Sequence, residues 1–311
     1  MKTKQIEKTL DRISSKRMDS VLTIQSHMLK AISDFMFEKG IVQIMPVIVS
    51  PITDPLRHSV FDAQIEYYGQ KLKLTKSMLM HKQISLIPKD RKSIYIISPN
   101  IRLEKKECNH TGRHLIEFSQ VDFEFKEKKK EEVIQFMEEL LVYVITKVKQ
   151  ECKHELDYIG SKIEVPKSPF KVFQSKQLKK LYRDDFEKIM SEKMKEPFWI
   201  LDYEREFYDR EDTQKPKTFL NYDLFYPYGF DEALSGGERE FKYGRIIKRM
   251  KESKVDPKPY KYYLELARRD LLPRTAGAGF GVERLLRYIC GVKHIRDVAL
   301  FAKVPGEKIV F

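Results

Sequence analysis

From residue 20 to 39 apolar side chains recur at helical spacing, at Val21, Ile24, Met28, Ile32, Phe35 and Met36, and the run halts at Gly40. That pattern predicts an amphipathic helix with a glycine stop. Residues 41–49 change to a β-rich run broken by Pro46, which suits a sheet edge or a bulge. A short hairpin is expected over 66–74, turning at Gly69-Gln70. Helices are expected at 78–87, 130–152, 238–252 and, after a proline-rich turn, 257–272; strands are expected at 198–203 and 220–225. Residues 153–197 are lysine-rich and the least regular, and read as an insertion at the edge of the fold. Strands outnumber sequential βαβ units, so the expected class is α+β, an antiparallel sheet flanked by helices.

Two stretches have patterns that a core would not produce. Tyr95-Ile-Ile-Ser-Pro-Asn-Ile-Arg102-Leu-Glu104 leads through a polar, glycine-containing loop into His114-Leu-Ile-Glu-Phe118-Ser-Gln120-Val-Asp122-Phe-Glu124-Phe. Two such runs are most simply an antiparallel hairpin. Period two sets Arg102 and Glu104 on one face of the first run, and His114, Phe118, Gln120, Asp122 and Glu124 on one face of the second. Buried unpaired charges are costly, so this surface reads as a site with cations, carboxylates and an aromatic plane. The second stretch is Ala276-Gly-Ala-Gly279-Phe-Gly281-Val-Glu-Arg284. Its glycines share one strand face, and Arg284 falls in the first turn of the helix that follows. Either the sheet is tightly packed there, or a nucleotide lies on the bare strand and its phosphates meet Arg284 and the helix N-terminus.

These motifs resemble class II aminoacyl-tRNA synthetases. Arg-x-Glu, the loop and Arg-His-Leu-x-Glu-Phe look like motif 2, and Gly-x-Gly-x-Gly-x-Glu-Arg looks like motif 3. The helix–strand–proline run over 20–51, with Pro46 and Pro51, looks like motif 1. Ser235-Gly-Gly-Glu-Arg239-Glu and Lys293-His-Ile-Arg-Asp-Val point to the aspartyl/asparaginyl branch. More narrowly, Ser50-Pro-Ile-Thr-Asp-Pro-Leu56, Glu196-Pro-Phe-Trp-Ile200 and Arg205-Glu-Phe-Tyr-Asp-Arg-Glu211 resemble the archaeal asparagine synthetases related to asparaginyl-tRNA synthetase. The likeness spans nearly the whole chain: a basic extension over residues 1–19, then a catalytic domain over 20–311. The motif 1 helix begins near residue 20, so an N-terminal anticodon-binding barrel is not expected.

The resemblance implies ATP and Mg²⁺ as cofactors. Phe118 would stack the adenine, whose amino edge would lie near Glu104 and Gln120, above Gly279 and Gly281. Arg102 and Arg284 would be catalytic, Arg102 at the α-phosphate and Arg284, with His114, at the γ-phosphate. Asp223 and Glu232 would hold Mg²⁺, a hard ion that takes oxygen ligands; the bland reading makes them surface acids around a turn. Arg239, Lys82 and Ser77 would bind aspartate. Lys82 is kept from the family pattern, but Leu79 stands where the aspartyl enzymes have glutamine. Lysine offers donors only, so aspartate is the expected input. The expected reaction is ATP-dependent ligation of aspartate with free ammonia, giving asparagine, AMP and pyrophosphate. The alternatives are a truncated aspartyl- or asparaginyl-tRNA-synthetase-like enzyme that acylates tRNA or another acceptor, and a non-catalytic relative that binds nucleotide or RNA. A homodimer through motif 1 is implied, and tRNA is not expected as a partner. Strand parity puts Glu232 and Arg239 on opposite faces, so a bulge is expected at Gly236-Gly237.

Composition changes this picture little. Net charge is +13, from 59 Lys+Arg against 46 Asp+Glu, but 34% of residues are charged and both signs are interleaved. That mixture fits a heat-adapted surface as well as it fits RNA binding. Three scattered cysteines without a CxxC pair indicate a reducing cytoplasm. Cys108 and His110 lack a fourth ligand at zinc spacing. No apolar run approaches the roughly 20 residues of a membrane span, and the first 20 residues lack a signal-peptide core.

Overall fold

In the computed structural model, which describes residues 2–56 and 60–311, the chain builds one large sheet between two helical layers. Met1, the first residue of the expected extension, lies outside the described residues. The rest of that extension opens with a helix, α1 (Lys2–Ile13). Arg12 at its end donates to the carbonyls of Arg296, Ala299 and Leu300. Ser15 then caps α2 (Lys16–Glu38) by accepting from the Met18 amide, which satisfies one of the free donors of the first turn. The apolar stripe seen in the sequence is buried along α2, and Gly40 follows its end with φ +67.

The next elements are β1 (Val42–Gln43), β2 (Val49–Ser50), the hairpin β3 (Gln64–Tyr67) and β4 (Gln70–Leu74), and α3 (Leu79–Ser85). Then come β5 (Ser93–Ile101), β6 (Glu117–Lys126), α4 (Lys130–Glu151) and α5 (Lys153–Ile159). The stretch read as irregular is regular beyond α5 as well: it contains β7 (Lys171–Gln174), α6 (Ser175–Tyr182) and α7 (Phe186–Lys193). Its elements are short and their exposed faces lysine-rich, so their apolar period is faint. The chain ends with β8 (Phe198–Leu201), β9 (Asn221–Tyr226), β10 (Asp231–Glu238), α8 (Tyr243–Glu252), α9 (Lys261–Arg268), β11 (Thr275–Gly281) and α10 (Val282–Cys290). The helix expected over 238–252 therefore starts five residues late.

The large sheet has the order β1-β5-β6-β11-β10-β9-β8-β7. Its central pairings are antiparallel, while β1–β5 and β7–β8 at the two edges are parallel. The α+β architecture is as expected, with a mixed rather than purely antiparallel sheet. Pro46 lies beyond the two-residue edge strand β1. Along β6 the odd residues Val121, Phe123 and Phe125 pack into the core with α2 and α4. The even residues Asp122 and Glu124 point the other way, where α3 lies, and are buried there too. Both faces of the sheet are thus covered, and the polar face needs internal partners. No described helix is long and apolar enough to cross a membrane.

Candidate active site

The polar face of β6, β11 and β10 forms the floor of a cavity of about 260 Å³, closed by α3, the 202–209 segment and the 105–114 loop. Every predicted site residue except Asp223 lines it: Ser77, Lys82, Arg102, Glu104, His114, Phe118, Gln120, Glu232, Arg239, Gly279, Gly281 and Arg284.

The glycine strand is not a bare floor. Gly277 lies opposite Glu124 and Gly279 opposite Asp122 across the β6–β11 ladder. A Cβ at either glycine would come within 3.0 Å of those carboxylates. The glycines therefore make room for acids on the neighbouring strand. These acids neutralise the cations expected to bind substrate. Lys82, 1% exposed, donates to Asp122 (2.7 Å) and to the Ala278 carbonyl (3.0 Å). Arg239 donates from Nε and Nη2 to Glu124 (3.0 and 3.2 Å), and from Nη2 to the Gly277 carbonyl (3.0 Å). Only Gly281 leaves its face open, with the Arg284 side chain nearest.

At the other end Arg102 lies over the Phe118 ring, 5.0 Å from its centroid, with Nε on the Lys76 carbonyl. One face of the ring expected to stack a base thus already carries a cation. Arg284 Nη1 donates to Glu232 Oε2 (3.2 Å). Burial works against the Glu232 carboxylate, yet Arg284 and Arg113 hold it down to about 2. His114 is driven the other way: burial, with Arg284 and Arg113 beside it, lowers it to about 4. It is neutral at pH 7, so Arg113 and Arg284 supply the positive charge of this wall.

Glu232 and Arg239 share the cavity because β10 contains the expected irregularity, but it lies between Glu232 and Leu234, not at the glycine pair. The extra residue, Ala233, restores parity, and Ser235, Gly237 and Arg239 then follow on the cavity side. Gly236 and Gly237 serve packing instead: Cβ atoms there would strike Tyr222 and Asn221.

Asp223 does not join Glu232 as an open pair. Arg205 Nη1 covers both of its oxygens (2.7 and 2.8 Å). Burial pushes its carboxyl up to about 7 even against Arg205, and Glu232 adds repulsion. The two-carboxylate Mg²⁺ site expected from the sequence thus does not fit the residues as arranged: Asp223 is already neutralised, while Glu232 is an accessible oxygen donor. Among the described residues no group of three or more His, Cys, Asp or Glu side chains is arranged to hold a metal ion. Arg205 and Asp209 have no role in the sequence-based site, although both stand in Arg205-Glu-Phe-Tyr-Asp209; the signal in the sequence is the i, i+4 spacing of an arginine and an aspartate. Arg113, Asp54 and Glu206 in the cavity wall are likewise absent from the sequence-based site.

The family model for tRNA synthetases class II (D, K and N) matches residues 1–305. The asparagine–tRNA ligase of Pyrococcus abyssi is 25% identical over 95% of this chain and 70% of its own length; that of Pelotomaculum thermopropionicum is 29% identical over 94% and 70%. Asparaginyl-tRNA synthetase from Pyrococcus horikoshii, solved with asparaginyl-adenylate, superposes with a TM-score of 0.85 at 22% identity, over 96% of this chain and 71% of that one. These relatives overturn two expectations. They bear the names of ligases that use tRNA, which speaks against an ammonia-dependent asparagine synthetase and against leaving tRNA out as a partner. With a match that runs through nearly all of its 311 residues, the chain belongs to the class II tRNA synthetases of the D, K and N group.

Proposed function

We propose that the protein is an asparaginyl-tRNA-synthetase-type ligase, which activates an amino acid of the aspartate–asparagine pair with ATP and passes it to an RNA acceptor. One observation carries this reading: a single cavity has arginines at one end, Arg102, Arg113 and Arg284, and buried donors at the other, Lys82 and Arg239. The triphosphate belongs at the arginine end. The amino acid belongs between Lys82, Arg239 and Ser77. Its carboxylate oxygen attacks the α-phosphorus, and pyrophosphate leaves. A ribose hydroxyl of the acceptor then attacks the acyl carbon, and AMP leaves. Arg102 is suited to steady the α-phosphate, Arg284 to hold the departing phosphates, and Phe118 with Glu104 and Gln120 to seat the base. Such a displacement needs positioning and charge neutralisation more than covalent help, and fixed, partly buried guanidinium groups provide both.

The donors of Lys82 and Arg239 call for a side-chain oxygen, which aspartate and asparagine share. The Asp122 carboxylate beside Lys82 offers the acceptor that an amide –NH₂ would need. The test is acylation: purified protein, ATP, bulk tRNA and labelled asparagine or aspartate should yield acid-precipitable label that mild base releases. Adenylate formation without any label on RNA would refute the acceptor half of the proposal.

A further inference from the structure

We propose that Arg205 is the built-in cation of the Asp223 side of this cavity, so that a divalent ion arriving with the nucleotide is held from Glu232 alone. The arginine is fixed from every side. Nη1 covers both Asp223 oxygens, Nε donates to Asp209 (3.1 Å), and Nη2 donates to the Gly236 carbonyl (2.8 Å). Its planar group lies 5.5 Å from the Tyr203 ring centroid. Its own carbonyl accepts from Arg249 Nη2 (3.2 Å), which clamps the backbone to α8.

An ion coordinated by Asp223 would sit within hydrogen-bonding range of this guanidinium, and like charges at that distance repel strongly where water is scarce. Admitting the ion would require Arg205 to swing away, which takes a charged donor from Asp209, 1% exposed and left with Asn221 Nδ2 (2.9 Å), and removes the guanidinium from the Gly236 carbonyl. Glu232 is placed differently. It gives Oε2 to one arginine, and its side chain is 34% exposed against 8% for Asp223. A hydrated ion that keeps its waters and takes one carboxylate plus phosphate oxygens can reach it. Arg205 is thus a positioning residue. It holds Asp223, Asp209 and the β10 backbone in place and needs no metal to do so.

The assignment of the nucleotide rests on the function proposed above; the occupancy of Asp223 by Arg205 does not. The experiment is a Mn²⁺ titration of the whole protein, followed by electron paramagnetic resonance, with and without α,β-methylene-ATP. One Mn²⁺ is expected per nucleotide complex in the wild type. Glu232→Gln should weaken it at least tenfold, and Asp223→Asn should change it less than twofold. Arg205→Ala frees Asp223 and should add a Mn²⁺ site, visible even without nucleotide. Two ions in the wild type, or equal losses from Asp223→Asn and Glu232→Gln, would overturn the proposal. If Arg205→Ala does not fold, the contrast between the two carboxylate variants still decides. Failure to bind nucleotide would count against the ligase reading, and the nucleotide-free comparison of wild type with Arg205→Ala would still judge Arg205.

Discussion

Substituting alanine at the three glycines of β11 should separate a strand that accommodates acids from one that accommodates ligand. At Gly277 a methyl group would strike Glu124 Oε2 and also the Phe123 carbonyl, which is backbone and cannot rotate away. The β6–β11 spacing must then open, an overpacking cost of about 1–3 kcal/mol. If Glu124 also loses Arg239, a further cost of about 3–5 kcal/mol applies, that of breaking a buried pair. At Gly279 the obstacle is the tip of Asp122, pinned by Lys82 and by Ser98 (3.3 Å). That tip can turn, so the cost should be smaller, about 1–3 kcal/mol. At Gly281 the nearest atoms are those of the Arg284 stem at 3.5 Å, and φ of −73 already suits alanine. This variant should be neutral or gain up to about 1 kcal/mol by restricting the unfolded chain. Urea unfolding can be followed by circular dichroism and by the fluorescence of the single tryptophan, Trp199, which is fully buried. The predicted order of damage is 277, then 279, then 281. Equal losses at all three positions, or losses under about 0.5 kcal/mol at Gly277, would refute the reasoning.

Other outcomes follow from the same geometry. Burial raises Glu283 to about 7 although it accepts from the Ser119 amide. The folded state thus binds its proton more tightly than the unfolded state, and stability should fall as pH climbs from about 4.5 to 7, by up to about 3 kcal/mol. Glu283→Gln keeps the acceptor, so its denaturation midpoint should exceed that of the wild type at pH 8 and converge with it near pH 4; a wild-type slope of opposite sign would contradict this. Arg284→Ala should weaken ATP binding at least tenfold by calorimetry while leaving the melting temperature nearly unchanged, and unaltered affinity would remove Arg284 from the phosphate wall. Phe37 (83% exposed), Val42 (52%) and Met45 (82%), in or within a few residues of β1, are exposed large apolar side chains, the kind of surface that a second subunit covers. Light scattering should give a dimer mass that Met45→Asp halves; a monomeric wild type would refute it.

The sequence made α2, the β5–β6 hairpin and the β11–α10 junction legible because each has a strong local period or a sharp break in one. Residues 238–252 misled because Glu238, Arg239 and Glu240 favour helices locally. Their side chains are drawn into tertiary pairs with Arg210, Arg274 and Glu124, and into capping the Phe241 and Lys242 amides. Parity required an extra residue between Glu232 and Arg239, but its position depends on which side chains of β9 fill the space beside Gly236 and Gly237. The cavity residues were readable as a set because charge on a strand face has few other uses. Their pairings were not readable. Lys82 with Asp122 and Arg205 with Asp223 join positions 40 and 18 residues apart, and only the packing of α3 and of the 202–209 segment against the sheet brings them into contact.

The most direct test of the whole account is exchange of labelled pyrophosphate into ATP by the purified wild-type protein. Exchange should require asparagine or aspartate, and it should drop at least a hundredfold in Arg102→Ala and Arg239→Ala variants that remain folded. Exchange that proceeds without either amino acid, or none at all from protein shown to bind ATP, would contradict amino-acid activation in this cavity.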